Sequence, residues 1–342
     1  MNHRSRTVKT DQPPDPFHER THPLLQVVRP VMGAKITFES DSRRLLELVR
    51  VTYDGLPQHR LPGPQARLRI RLIERDADRD SGTRRGEPPE LAMFSGAGWL
   101  GGVSKGSDMV IISPRERSAL VAVSPQTLRS PYHTRYELIE FAVFTLAARS
   151  QRLSPLHSAC VGKSGRGVLL MGPSGSGKST VTLMAVMSGL EFLSEDAVFV
   201  APGALLATGV SNYLHVRTDS LHWLSPAQRR LLRASPVIRR RSGVSKFELD
   251  LRRGGYRLAS SALKITAVVF LSARSAAGRD LLRPLSRTAL RSTFAANQAY
   301  AVNQPNWPAF STRLARFPAY ELRRGRHPDE SVEALRSLLP HR

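Results

Sequence analysis

The chain has 342 residues, 41% hydrophobic and 23% charged, which is typical of a globular protein long enough for two domains. No run approaches the roughly 18 apolar residues that span a bilayer, and no apolar segment follows the charged N-terminus, so we expect neither a membrane protein nor a secreted one. The single cysteine, Cys160, excludes an internal disulfide and fits a reducing compartment, so the expected location is cytoplasmic.

The formal net charge of +23 comes from 51 lysines and arginines against 28 acidic residues. A charge of this size is compatible with a nucleic acid or another polyanion as partner. However, arginine supplies most of the positive charge, and the densest basic stretches carry no interleaved aromatic residues for base stacking. We therefore attribute the positive charge to a compositional bias toward arginine rather than to a nucleic-acid partner. The alternative is an acidic partner or surface.

The N-terminal part of the sequence predicts a tail followed by a small domain. Residues 1–30 contain many prolines, histidines and charges and are expected to form a flexible tail, and residues 31–151 an α+β accessory domain. Strands are predicted at AKITFES, at ARLRIRLIER with its period of two, at GGVSKGSDMVIISP and at SALVAVSP. Helices are predicted at DSRRLLELVRVTYDGL, beginning at Asp41 or Ser42, and at TRYELIEFAVFTLAARSQ. The polar stretch DADRDSGTRRGEPPE is expected to be an exposed loop.

From residue 152 to residue 342 the pattern indicates a second, α/β domain. A strand at SPLHSACVG, a tight turn at KSGRG and a buried strand at VLLM precede a glycine-rich loop. A helix from Lys178 to Ser188 and a strand at EFLSEDAVFV follow, and this strand–helix–strand order with short links predicts a mainly parallel sheet. Further strands are expected at KFELDL and ITAVVFLS, and further helices at PLSRTALRSTFAANQ and PDESVEALRSLL.

The loop GPSGSGKS has the residue types that a nucleotide phosphate loop needs. Glycines at 172, 175 and 177 let the backbone turn successive N–H groups toward oxyanions, and the helix that begins at Lys178 adds the positive end of its dipole. Lys178 is expected to reach the β- and γ-phosphates, and the Ser179 hydroxyl to ligate Mg²⁺. ATP and Mg²⁺ are therefore the expected cofactors. The predicted nucleotide-binding residues are Gly172, Pro173, Ser174, Gly175, Ser176, Gly177, Lys178, Ser179 and Thr180.

Two adjacent carboxylates, Glu195 and Asp196, follow in the next predicted strand. Carboxylates in a buried strand are costly unless a cation meets them, and Mg²⁺ or Lys178 would serve. Neighbouring residues of a strand point to opposite faces, so either the strand turns at this pair or only one carboxylate faces the phosphates. We assign Asp196 the role of general base toward an incoming hydroxyl and Glu195 that of assisting Mg²⁺. The alternative is a structural ion pair or a solvated hairpin tip.

His157 is a third candidate for the site. It is expected on the strand that forms a hairpin with the one leading into the loop, which would bring it near the γ-phosphate and the acidic pair. A histidine on a strand is equally compatible with a core residue whose ring nitrogens are hydrogen-bonded. Arg217, Asp219 and Lys246 lie where a cation for the acceptor or the phosphates would fit.

The stretch from LHSACVG to SEDAVFV resembles the core of the HPr kinase/phosphorylase family. A histidine strand, a turn, an apolar strand, a phosphate loop, a helix ending in glycine and an acidic pair occur there in this order. The resemblance implies a phosphate-loop kinase core that transfers a phosphoryl group from ATP to a serine hydroxyl of a protein or peptide. It implies catalytic roles for Asp196 and His157 beside Lys178. The pair is Glu-Asp where the family usually has Asp-Asp, and no E-x-R-G-x-G-like segment follows, so the resemblance does not extend to the phosphorylase reaction.

Two further functions remain open from the sequence. The acidic pair would activate water as readily as a serine hydroxyl, which describes an ATPase, and a nucleotide-sensing regulatory protein would need no catalysis at all. In each case the N-terminal domain would serve in acceptor recognition or in oligomerisation, which is compatible with a homo-oligomer.

Overall fold

The computed structural model describes residues 23–75, 90–104, 108–278 and 280–340. Residues 1–22 of the predicted tail lie outside the described residues. So does the predicted loop DADRDSGTRRGEPPE, apart from its last residue. Among the helices of the described ranges, none combines the length and apolarity that crossing a membrane requires.

A seven-stranded sheet forms the first layer, in the order β1-β2-β3-β7-β6-β5-β4. The pairs β2–β3 and β3–β7 are parallel and the others antiparallel. Its strands are β1 Leu25–Val31, β2 Ala34–Ser40, β3 Arg67–Glu74, β4 Ala92–Gly96, β5 Trp99–Val103, β6 Met109–Ser113 and β7 Ser118–Val123. β1 begins inside the stretch predicted to be tail, because Val27 and Val31 are buried when it pairs with β2. The folded part therefore begins before residue 31.

Helices cover this sheet and complete an N-terminal unit, residues 25–150. They are α1 Arg43–Tyr53, α2 Pro125–Leu128, α3 Pro131–His133 and α4 Glu140–Ser150. α1 begins after Ser42, one of the two predicted caps, whose hydroxyl accepts a hydrogen bond from the Leu45 N–H. The single helix predicted over residues 134–151 is two segments, because a π-helical turn at Thr134–Ile139 precedes α4.

The remaining strands and helices form a C-terminal unit, residues 154–339, with two sheets. The strands are β8 Ser154–Leu156, β9 Ala159–Lys163, β10 Arg166–Met171, β11 Glu191–Ser194, β12 Val198–Ala201, β13 Leu206–Thr208, β14 Tyr213–Arg217, β15 Val237–Arg239, β16 Ser245–Asp250, β17 Leu263–Ser275, β18 Leu282–Pro284 and β19 Ala319–Arg324. The helices are α5 Lys178–Met187, α6 Pro226–Arg233, α7 Arg287–Ala296, α8 Trp307–Leu314 and α9 Pro328–Arg336. β14, β16 and β15 pair as a small antiparallel sheet, and the other nine strands form the larger one.

The larger sheet is mixed rather than mainly parallel. Parallel pairing joins β10 to β17 and β17 to β19, and the remaining pairs are antiparallel. The predicted strand–helix–strand unit is not a parallel pair, because β9 lies between β10 and β11 and is antiparallel to both. The short turn at Ser164 and Gly165 folds β9 back onto β10. β9 therefore occupies the position beside β10 that β11 would take in a simple parallel unit.

The central strand β10 has helices on both faces of the sheet. Val168 and Leu170 pack in one apolar cluster with residues of α5 and α9, and Leu169 and Met171 in another with residues of α7 and α8. Burial on both faces explains the uninterrupted apolar run VLLM. The strand carries the chain from this core directly into the glycine-rich loop.

Candidate active site

The glycine-rich loop joins the C-terminal end of β10 to the first turn of α5. Gly172, Gly175 and Gly177 have φ values of 149°, 80° and 95°, conformations that disfavour residues with a side chain. A Cβ atom at Gly172 would also lie 2.8 Å from the Ser176 Oγ and 3.0 Å from the carbonyl oxygen of Leu271. The backbone shape of the loop therefore depends on glycine at its first position for two separate reasons.

Side chains in the loop fit a phosphate group. Within the described residues, the buried Oγ of Ser176 has no hydrogen-bond partner. The Nζ of Lys178 donates to the Gly172 carbonyl oxygen at 3.1 Å, so the cation folds back over the loop. Burial lowers the pKa of Lys178, although Asp196 and Glu195 partly oppose this. An unsatisfied hydroxyl and a desolvated ammonium are groups that a phosphate oxygen would satisfy.

The chain bends at the acidic pair. β11 ends at Ser194 and β12 begins at Val198, and the hydroxyl of Ser194 closes the bend by donating to the Ala197 carbonyl oxygen at 2.7 Å. The predicted strand EFLSEDAVFV is therefore two strands with different partners, since β11 pairs with β9 and β12 with β8 and β13. The sequence left two arrangements open, and the structure has the first: the strand turns at Glu195 and Asp196.

Glu195 is 3% exposed and held at both carboxylate oxygens. The Ser179 hydroxyl donates to its Oε1, and the His215 backbone N–H donates to its Oε2 at 2.8 Å. Its carboxylate and the Ser179 hydroxyl are thus adjacent oxygen ligands of the kind that Mg²⁺ prefers. The described residues contain no group of three or more histidine, cysteine or acidic side chains arranged to hold a metal ion, so an Mg²⁺ ion here would take its other ligands from phosphate and water.

Asp196 faces the cleft, where its side chain is 38% exposed. The Nη2 of Arg240 donates to its Oδ2 at 2.7 Å. Burial would raise the pKa of Asp196, but the Arg240 guanidinium outweighs burial and lowers this pKa to about 2. The carboxylate is therefore ionised at neutral pH and is a weak base, suited to orienting a hydroxyl and accepting its proton late in a reaction.

His157 lies beside Asp196, but not on a strand as expected. It occupies the bend between β8 and β9, and its exposed ring places Nδ1 3.2 Å from the Asp196 carbonyl oxygen. The side chain of Gln298 fixes this bend, because it accepts from the His157 N–H at 2.8 Å and donates to the His157 carbonyl oxygen at 3.1 Å. The predicted histidine and acidic pair are thus brought together, with Gln298 as a support that the sequence did not reveal.

A cleft of about 500 Å³ extends from the loop, and cations dominate its charged lining. The charged lining residues are Lys178, Asp196, Arg217, Asp219, Arg240, Lys246, Arg324 and Arg326. Arg217 and Lys246 are directly opposite each other on β14 and β16, a like-charge pair that an anion in the cleft would stabilise. Arg217 also pairs with Asp219, their nearest N and O atoms 3.0 Å apart. Burial lowers the pKa of Lys246, and the nearby guanidinium of Arg240 lowers it further.

One wall of the cleft is aromatic. Trp223 packs edge-to-face against His327, with ring centroids 5.0 Å apart, and lies 4.2 Å from the His222 ring. All three residues line the cleft that contains the loop. A planar apolar surface of this kind is suited to a nucleotide base.

A group of four side chains lies behind Glu195, and we call it the polar chain: His215, Glu248 and Arg135, which are buried, and Tyr136, which is half-buried. Tyr136 Oη is 2.9 Å from His215 Nε2 and donates to Glu248 Oε1 at 2.5 Å, and Arg135 forms an ion pair with Glu248. Burial would lower the pKa of His215, but hydrogen bonds to Glu195 and Glu248 outweigh burial and raise it. The sequence offers only a histidine in β14 and a glutamate in β16, His215 and Glu248, and nothing in it shows that their side chains meet.

Comparison with known proteins gives a weak structural likeness. No protein-family model matches the chain, and no curated protein matches it. Among solved structures, it is similar to the HPr(Ser) kinase/phosphatase from Coxiella burnetii. The sequence identity is 12%, the match covers 54% of this chain and 90% of that one, and the TM-score is 0.28. This likeness is too low to assign an activity to the chain.

Proposed function

We propose that the chain is an ATP- and Mg²⁺-dependent kinase that transfers the γ-phosphoryl group to a serine hydroxyl of a protein or peptide. The observation that carries this proposal is the bend at the acidic pair. It directs the Glu195 carboxylate to the Ser179 hydroxyl behind the loop and the Asp196 carboxylate into the open cleft. One acidic residue is thus available for a metal and the other for an acceptor, within the same cleft as Lys178.

The loop would bind the nucleotide through its own groups. Its backbone N–H groups, the first turn of α5 and the Ser176 hydroxyl would hold the phosphates, and Lys178 would move from the Gly172 carbonyl oxygen to the β- and γ-phosphates. Ser179 and Glu195 would hold Mg²⁺, which would neutralise negative charge on the phosphates. Trp223 and His327 would contact the base.

Asp196 would orient the acceptor. The serine oxygen attacks the γ-phosphorus as the bond from this phosphorus to the β,γ-bridging oxygen breaks, and ADP leaves with the electron pair. The serine proton passes to Asp196 late in the transfer, as its low pKa requires. Arg240 and Lys246 are positioned to stabilise charge on the transferred group. His157 would orient the acceptor side of the bend through its contact with the Asp196 carbonyl oxygen.

The test follows γ-labelled ATP with Mg²⁺ and a library of serine-containing peptides. Wild type is compared with Asp196→Asn and Lys178→Ala, and with Asp41→Asn, an exposed residue of the N-terminal unit, as the control. We expect label on peptide, lost by at least about 100-fold in the first two variants and retained in the control. Release of free phosphate alone would instead indicate an ATPase, and nucleotide binding without turnover a nucleotide-sensing protein.

A further inference from the structure

Glu195 does not set its own orientation. Its Oε2 accepts from the His215 backbone N–H at 2.8 Å and lies 3.4 Å from the His215 Nδ1. With the Ser179 hydroxyl on its Oε1, the carboxylate is fixed between α5 and β14. The direction in which it faces a metal therefore depends on where the backbone and ring of His215 lie.

Residues of the N-terminal unit hold the His215 ring. Tyr136 Oη is 2.9 Å from its Nε2, and the two rings pack edge-to-face with centroids 5.2 Å apart. The single phenol hydrogen is donated to Glu248 Oε1 at 2.5 Å, so the phenol oxygen accepts from the His215 Nε2–H. The hydroxyl of Tyr136 thus fixes the position of the ring and requires a hydrogen on its Nε2.

The polar chain ends at a buried cation. The guanidinium of Arg135 forms an ion pair with Glu248, and both side chains are less than a tenth exposed. It also packs over the rings of Tyr136 and Tyr213, at 4.5 Å and 4.6 Å from their centroids. A buried carboxylate needs such a partner, because an unpaired one would change ionisation or position. Arg135 therefore keeps Glu248 in place for Tyr136 and His215.

Arg135 and Tyr136 are neighbours in the π-helical turn Thr134–Ile139. The same turn makes a second connection to the site through Glu137, which pairs with Arg241. The next residue back, Arg240, binds Asp196. One turn of the N-terminal unit is thus linked to both members of the acidic pair by different routes. π-Helical turns are rare and occur frequently at functional sites.

We propose that this turn is a positioning element of the active site, in which Tyr136 and Arg135 orient the metal ligand Glu195 through Glu248 and His215. This proposal rests on the proposed function. It gives the N-terminal unit a role in metal binding that is distinct from acceptor recognition, because Arg135, His215 and Glu248 are buried, Tyr136 is half-buried, and none of the four lines the cleft.

The experiment measures the affinity of the full chain for a fluorescent ADP analogue, once in EDTA and once across a Mg²⁺ titration. Tyr136→Phe removes the hydroxyl and keeps the ring. We expect it to raise the Mg²⁺ concentration at half-saturation about 10-fold, as loss of a supporting residue does at metal sites, and to leave the affinity in EDTA unchanged. Glu248→Gln should produce a shift of the same direction.

Tyr132→Phe is the matched control, since the Tyr132 ring lies on the preceding helix α3 with its centroid 4.8 Å from that of Tyr136. It should leave both measurements unchanged. A wild-type Mg²⁺ dependence in Tyr136→Phe, or an equal loss of affinity in EDTA and in Mg²⁺, would overturn the proposal. The absence of any Mg²⁺ effect in wild type would also overturn it. Failure of the kinase proposal is a separate result, since binding is measured without phosphoryl transfer.

Discussion

At Gly172 a single hydrogen atom in place of a side chain determines the shape of the loop. The position combines a positive φ with close approach of the Ser176 Oγ and the Leu271 carbonyl oxygen, whereas Gly175 has a positive φ and open space around its Cα. Conformational strain and steric contact can therefore be separated by comparing the two glycines.

We predict that Gly172→Ala lowers the free energy of unfolding by more than Gly175→Ala does. Strain at a positive φ costs about 1 kcal/mol or more in both variants, and the alanine methyl at 172 must in addition displace backbone of β17. Urea unfolding without nucleotide measures both values. Equal losses would show that the contacts at Gly172 relax without cost.

Arg240 controls the protonation of Asp196 in the structure. We predict that Arg240→Gln raises the Asp196 pKa, because burial then acts without the opposing guanidinium. The acid limb of the pH–rate profile should move to higher pH, and Arg239→Gln, an exposed neighbour, should leave it in place. Because the folded pKa is depressed, the stability that the ion pair contributes is present above about pH 4 in wild type and is lost as pH falls toward 2. Identical pH–rate profiles for wild type and Arg240→Gln would contradict this role.

At the scale of elements, the strand and helix around the loop were predicted closely and the acidic strand was not. The apolar run VLLM and the glycines predicted β10 and a helix beginning at Lys178, and both are confirmed. These elements follow from local sequence. The division of EFLSEDAVFV into β11 and β12 depends on which strands arrive on either side, and the same is true of the bend at His157. Neither pairing has a local signal.

Helix α4 begins with a buried acidic residue, Glu140. Burial raises the pKa of Glu140 from 4.5 to about 8, although Arg135 partly opposes this shift. Between these pH values the folded protein keeps a proton that the unfolded chain releases, so the free energy of unfolding falls as pH rises and levels off above about 8.

We predict that Glu140→Gln, which cannot titrate, reduces this fall. The measurement is urea unfolding at a series of pH values between about 5 and 8, with Glu47→Gln on the exposed side of α1 as control. The control should retain the wild-type pH dependence. A wild-type pH dependence in Glu140→Gln would mean that the Glu140 carboxyl of the wild type is already ionised in the folded state.

At the scale of the whole molecule, the most important connection lay beyond sequence reasoning. The glycine-rich loop, the acidic pair and His157 are close in sequence, and their convergence could be predicted from spacing and resemblance. Arg135, His215 and Glu248 are distant in sequence, and each alone resembles an ordinary polar residue. Their meeting depends on how the π-helical turn packs against the small antiparallel sheet. The net charge of +23 did not indicate where the site lies, although cations dominate the charged residues of the cleft.

The pairing of β10 with β17 also determines the order in which parts of the chain fold. The hairpin of β9 and β10 needs only a short turn, so it can form as soon as it leaves the ribosome. The loop remains unsupported until β17 aligns with β10 and brings the Leu271 carbonyl against Gly172. Such distant pairings form late, because closing a long loop costs entropy. We therefore expect any ligand of this loop to bind only a chain whose synthesis has passed β17.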